Sequence, residues 1–117
     1  MAISEFASGS ETVDTTEWSL ATDTSYDTGD AQTSDGVYQV FIDFNALTVT
    51  EQYQIRVYEK VLSGSTQRIV DEWTINGPST APVWVSPSLI LLHGWDITLD
   101  KIAGTARAID WSIRKVG

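Results

Sequence analysis

The chain has one histidine, His93, three positions before a carboxylate in the run His93-Gly94-Trp95-Asp96. A histidine oriented by an aspartate is two-thirds of a hydrolytic triad, and the third member must be an activated hydroxyl converging on the same point. No G-x-S-x-G element supplies one. In an alternating strand, Asp96 falls on the face opposite Trp95, Ile97 and Leu99. It is therefore expected to point into solvent, with His93 closing one strand and Gly94 bending the chain into the next. On this reading the chain is not an enzyme and has no catalytic residues.

A second group of chemically capable residues is the carboxylate series Asp23, Asp27, Asp30 and Asp35. Calcium takes six to eight hard oxygens, and a loop of this composition offers several. The spacing does not match the EF-hand loop, and whether the Asp23–Asp35 loop binds calcium stays open at this level. Paired carboxylates also hydrolyse glycosides, but nothing in the sequence singles out such a pair. The chain has no cysteine and a single histidine. Disulfides and thiolate chemistry are thereby excluded, and a transition metal is left with few ligands. No cofactor and no metal are expected.

The elements that would carry these residues read as strands. In residues 36–47, Tyr38, Val40, Ile42 and Phe44 lie on one face, with Val37, Gln39, Phe41 and Asp43 opposite. Residues 53–61 alternate again, as do 95–100 and 107–116. Asp71 falls in phase with Ile69, Trp73 and Ile75, which predicts a bulge or a sheet edge there. Pro82 and Pro87 bracket a short edge strand, since proline donates no ladder bond. Residues 53–76 and 95–116 each read as a hairpin. No stretch has a helical period, so the fold class is all-β. About eight short strands predict an antiparallel, jelly-roll-like β-sandwich. Residues 1–10 read as an N-terminal arm and 11–117 as a single domain, as suits 117 residues.

Net charge is −9 and uneven: residues 1–55 hold ten acids and no Lys or Arg. Phosphate contacts need clustered bases, so nucleic acid is not an expected partner. No apolar run is long enough to cross a bilayer, and the N-terminus lacks the pattern of a secretion signal. The expectation is a protein made in the cytoplasm with no membrane partner. Trp18, Trp73, Trp95 and Trp111 are in phase with Leu or Ile and read as core. Trp84, Tyr58, Tyr26 and Phe41 are left as candidates for exposure, and exposed aromatics mark interfaces. Ile3 and Phe6, the large apolar residues of the arm, could anchor an extended strand on a neighbour's sheet edge. The expected protein-interface residues are thus Ile3, Phe6, Phe41, Tyr58 and Trp84.

The runs DGVYQVFIDFNAL, YQIRVYEKV and APVWVSPSLILLHGWDITLDKIAGTARAIDWSIRKV resemble small β-rich virion proteins of tailed bacteriophages, and among them capsid decoration, or cement, proteins. The resemblance covers most of residues 12–116. It implies a structural protein on the outer capsid surface of the virion that stabilises contacts between capsomers. Its partners would be the major capsid protein and its own copies, in a homo-oligomer such as a trimer. The alternative is a carbohydrate-binding or receptor-binding module of a phage tail.

Overall fold

The computed structural model describes residues 2–116. Ten strands form two antiparallel sheets. Sheet A has the order β1 (Ile3–Val13), β10 (Arg107–Val116), β4 (Gly36–Asp43), and then β7 (Val83–Val85) and β8 (Leu89–Leu91), which both pair with β4. Sheet B has the order β3 (Thr24–Ser25), β2 (Trp18–Ser19), β9 (Asp96–Ala103), β5 (Gln52–Glu59), β6 (Arg68–Asn76). The all-β sandwich expected from the alternation is present. The two strands beyond eight are β1, most of it within the segment read as an arm, and the two-residue β3; of the strand expected around Trp18 and Leu20 only the two-residue β2 forms.

The core lies between the inward rows of the two sheets. Tyr38, Val40 and Ile42 of β4 and Ile109 and Ile113 of β10 meet Tyr53, Ile55, Ile97 and Leu99 of sheet B, all fully buried. β-branched and aromatic side chains pack well on a pleated surface, which is why these runs become strands.

Residues 1–10 do not stand off as an arm: from Ile3 the chain pairs with β10 along its length, Ile3 opposite Val116 and Val13 opposite Arg107. Met1 lies outside the described residues. The register shifts between Glu5 and Ala7, so Phe6 is an extra residue in a bulge. A bulge re-aims a side chain, and here it turns Phe6 against Tyr38 and Trp95, at ring distances of 5.2 and 5.4 Å. Phe6 is thus part of the core packing rather than an outward anchor.

Asp71 meets both halves of its expectation. β6 is an edge strand, and the shift between Val57–Asp71 and Tyr58–Ile69 leaves Val70 unpaired as a bulge. The second expected hairpin is absent. β9 pairs with β5 and β2 while β10 pairs with β1 and β4, so the turn at Gly104 carries the chain from one sheet to the other. Gly104 has φ +85°, and a Cβ there would lie 2.5 Å from the Thr50 carbonyl oxygen. Both the left-handed backbone and the space require glycine. Gly104→Ala is expected to cost about 2 kcal/mol or more, read as a lower midpoint in urea unfolding with an unchanged slope.

Candidate functional site

The run His93-Gly94-Trp95-Asp96 is the bend between β8 and β9. The Glu59 carboxylate of β5 holds it, accepting hydrogen bonds from the backbone amides of Leu92 (2.6 Å), Gly94 (2.9 Å) and Lys60 (2.9 Å). Burial acts against ionisation of Glu59. The amides of Leu92, Lys60, Gly94 and His93 outweigh it and keep the carboxyl below its ordinary range. No hydrogen bond or ion pair joins His93 to Asp96 among the described residues. The histidine sits in a bend, as the sequence suggested.

Asp96 is where the sequence reading fails. It faces away from the core, as alternation requires, yet it is fully buried. The covering material is the segment from Ser19 to Ser34, whose polar composition gave no hint that it packs on β9. The Asp96 Oδ1 accepts from the Ser19 hydroxyl (2.7 Å) and from the Ile97 amide (2.8 Å), while Oδ2 is buried without a partner. Desolvation pushes the Asp96 carboxyl up to about 6, against the hydrogen bonds from Ser19 and Ile97.

Around Asp96 the outer face of sheet B carries a polar network. Glu17 Oε2 accepts from the Tyr58 hydroxyl (2.6 Å) and the Thr98 hydroxyl (2.5 Å). The Arg56 guanidinium lies 3.6 Å from Glu17 and 3.9 Å from Asp100, and its Nε donates to Glu72 at 2.8 Å. Burial and then Glu17 push the Tyr26 hydroxyl up to about 12, and burial also raises Tyr58 and Asp100. Two carboxyls in different environments are the raw material of acid–base catalysis. A substrate also needs room. The best-formed cavities lie elsewhere, and none of these three is lined by Glu17, His93 or Asp96. The largest, about 360 Å³, lies between β6 and β7 and is walled by Phe44, Leu47, Ile75 and Trp84.

The aspartates of the 23–36 loop serve turns. Asp23, at φ +56°, accepts from the Trp18 indole at 3.1 Å. Asp27 caps the short 3-10 helix Thr28–Asp30 through the Gly29 amide at 2.9 Å. Among the described residues no three acidic or histidine side chains come together in a way that could hold a metal ion.

The expected interface residues separate. Ile3 is 72% exposed. Phe41 faces outward under the Arg114 guanidinium, 3.7 Å from its ring centre. Tyr58 is buried, stacked on Tyr26 at 4.6 Å, so its expected exposure is corrected: the Ser19–Ser34 segment hides it as it hides Asp96. Trp84 is half-buried against Trp73, 5.0 Å between rings.

Sequence reasoning missed an apolar row across the outer face of sheet A. The pairings set Ile3 beside Val116, Val116 beside Val37, and Val37 beside Ile90. The row ends in two well-exposed residues, Ile3 at 72% and Ile90 at 82%. The signal was present in β4, where Val37 and Phe41 interrupt an otherwise polar outer face. Only the register reveals the row.

The two sides of sheet A also differ. β1 is an open edge of eleven residues with no Lys, Arg or Pro. The far edge is broken into β7 and β8 around Pro87, where the Ser86 hydroxyl accepts from the Val40 amide in the gap (2.9 Å). The β6 edge of sheet B carries Arg68, Asp71 and Glu72 and the Val70 bulge. Charges, prolines and bulges are the ordinary protections of an edge against pairing. β1 has only the bulge at Phe6 and two glutamates.

No protein-family model matches the chain, and no curated protein matches it. Among solved structures, it is similar to a protein of the Bacillus endospore appendages, which are described as a novel family of disulfide-linked pili. The TM-score is 0.52, over 98% of this chain and 87% of that one, at 16% sequence identity. The likeness is one of fold alone.

Proposed function

We propose that the protein is a non-enzymatic structural subunit of a repetitive assembly, joined to its neighbours along the β1 edge and the adjoining apolar row. The observation that carries this reading is the long β1 edge, guarded only by the Phe6 bulge and two glutamates. A backbone ladder open over eleven residues accepts an added strand with little demand on side chains, and the Ile3–Val116–Val37–Ile90 row offers apolar area beside it. The shared fold with a pilus protein fits such a role. The covalent link in the description of those pili is not open to this chain, which has no cysteine. Its contacts are non-covalent.

The finer reading is decoration of a phage head. The partners would then be the major capsid protein and other copies of this chain, as a trimer at three-fold positions, on the outer surface of the virion. The sequence resemblance supports this form. The pilus-like fold supports a second one, in which the chain's only partner is itself.

Sedimentation of the purified protein, alone and with empty phage shells, separates the two. Open-ended self-assembly without shells, beyond a trimer of the 12.9 kDa chain, favours the filament form, and a monomer or trimer that binds shells favours decoration. A monomer at all concentrations that ignores shells would sink both. Ile3→Asp and Ile90→Asp are expected to abolish assembly or weaken it at least tenfold. Their exposed positions should leave the melting temperature within the small range of surface substitutions.

A further inference from the structure

Asp96 and the segment above it form a unit that the proposed assembly role does not use. The segment from Ser19 to Ser34 is lightly fastened. Its strands β2 and β3 have two residues each, and most of residues 22–35 are exposed. Its two ends are anchored: the Leu20 carbonyl oxygen accepts from the Trp111 indole (2.9 Å), the Ser34 carbonyl oxygen accepts from the Tyr38 hydroxyl (2.7 Å) and the Trp95 indole (3.0 Å), and the Ser34 hydroxyl accepts from Lys115 (3.1 Å), while fewer contacts hold the stretch between them. The Gln32 and Trp95 backbones exchange hydrogen bonds of 2.7 and 2.9 Å, and the Tyr26 amide donates to the Glu17 carbonyl oxygen at 2.8 Å. The Tyr26 hydroxyl donates to Gln67 at 2.5 Å, and the Ser19 hydroxyl reaches Asp96.

Directly beneath lies the fully buried Asp96 carboxyl with one unpartnered oxygen. The groups facing it come from every neighbouring element: Glu17 ahead of β2, Tyr26 after β3, Asp30 in the 3-10 helix, and Tyr58 across the ladder on β5. Two of these four are carboxylates, and the nearby cation, Arg56, is engaged with Glu17 and Glu72.

We propose that the Ser19–Ser34 segment is a proton-held cover over β9: it stays closed while Asp96 is neutral and opens locally when Asp96 ionises. A buried carboxylate with an unpartnered oxygen beside other acids is relieved only by water or by a proton. Opening residues 22–33 admits water without unfolding the sandwich, because none of the ladder pairings of β4, β9 and β10 involves them. The consequence is a surface whose shape changes between mildly acidic and neutral conditions. Closed, it presents the polar cover. Open, it presents Tyr58, Thr98 and the carboxylates of sheet B.

Hydrogen exchange of the full chain tests this. The amides of Asp23, Tyr26 and Gln32, each hydrogen-bonded in the closed cover, report on opening. After correction for intrinsic exchange, their protection is expected to fall roughly fiftyfold from pH 4 to pH 7, while staying well below that of β4 and β10. Asp96→Asn should make it flat with pH. Two results would overturn the proposal: protection of these amides that does not change with pH in the wild type, or cover amides exchanging together with β4 and β10. If Asp96→Asn does not fold, the wild type decides alone through the Asp96 carboxyl carbon in NMR. A midpoint shared with the cover amides supports the cover, and separate midpoints refute it.

Discussion

Glu51→Ala is expected to be the most destabilising single substitution of a polar residue in this fold, read as a lower urea midpoint with an unchanged slope, because one carboxylate holds several hydrogen bonds at once. Glu51 lies in the turn before β5 with its side chain fully buried. Its carboxylate accepts from the Thr50 hydroxyl, from the Thr48 amide (2.7 Å) and hydroxyl (2.8 Å), and from the Arg107 Nε (3.0 Å). The turn it closes is the one against which Gly104 and Gly77 pack, with no room for a Cβ at either. One carboxylate thus ties the start of β5 to the start of β10, across the two sheets. Truncation removes the acceptor shared by Thr48, Thr50 and Arg107, whose donors are only partly shielded from water.

The pH dependence follows from the same contacts. The Thr50 hydroxyl and the Thr48 amide, with Arg107 behind them, hold the Glu51 carboxyl well below its ordinary value of 4.5. A depressed carboxyl contributes stability above its unfolded value and loses it as pH falls. Glu51→Gln should therefore be most costly at neutral pH, with its difference from wild type shrinking below about pH 4.5. A difference that is constant from pH 3 to pH 7 would show that Glu51 acts through packing rather than charge. Urea midpoints across that range decide it.

How much of this was legible in the sequence depends on which neighbours a residue meets. β4 and β5 were plain because their inward residues alternate without interruption, and a sandwich core rewards that pattern at every second position. The Asp71 irregularity was legible for the same reason, as a break in phase. β1 was not. Its residues are small and polar, and it is a strand because β10 presents a complementary ladder, which is information held elsewhere in the chain. The β9–β10 hairpin was misjudged because a short glycine turn looks the same whether the chain folds back in one sheet or crosses to the other. The candidate site was less legible still. Alternation placed Asp96 on the outward face correctly, but outward meant solvent only if nothing lay on top. Residues 23–36 carry one aromatic, Tyr26, and it was the stacking of Tyr26 on Tyr58 that a linear reading could not foresee. Glu17, which joins Tyr58, Thr98 and Arg56, carried no signal at all, being one glutamate in a Thr-rich run.

Asp96→Asn is expected to act in the opposite sense from the Glu51 substitutions and to stabilise the protein at neutral pH. The folded carboxyl is raised to about 6 from 3.8. Its contribution is fully present below about pH 3.8, where the proton is bound in both states, and is lost as pH climbs through 6. The ionised form costs roughly 3 kcal/mol at pH 7.5 on this shift. Asparagine keeps an oxygen for the Ser19 hydroxyl and the Ile97 amide and removes the charge. Its amide hydrogens need acceptors of their own, which trims the net gain to about 1–3 kcal/mol. The difference between variant and wild type should vanish near pH 4 and grow steadily toward pH 7. A variant less stable than wild type at every pH would mean that the buried oxygen without a partner is satisfied by water and costs nothing. The two carboxylates thus divide the pH axis between them. Glu51 tightens the sandwich as it ionises, and Asp96 loosens one side of it as it ionises.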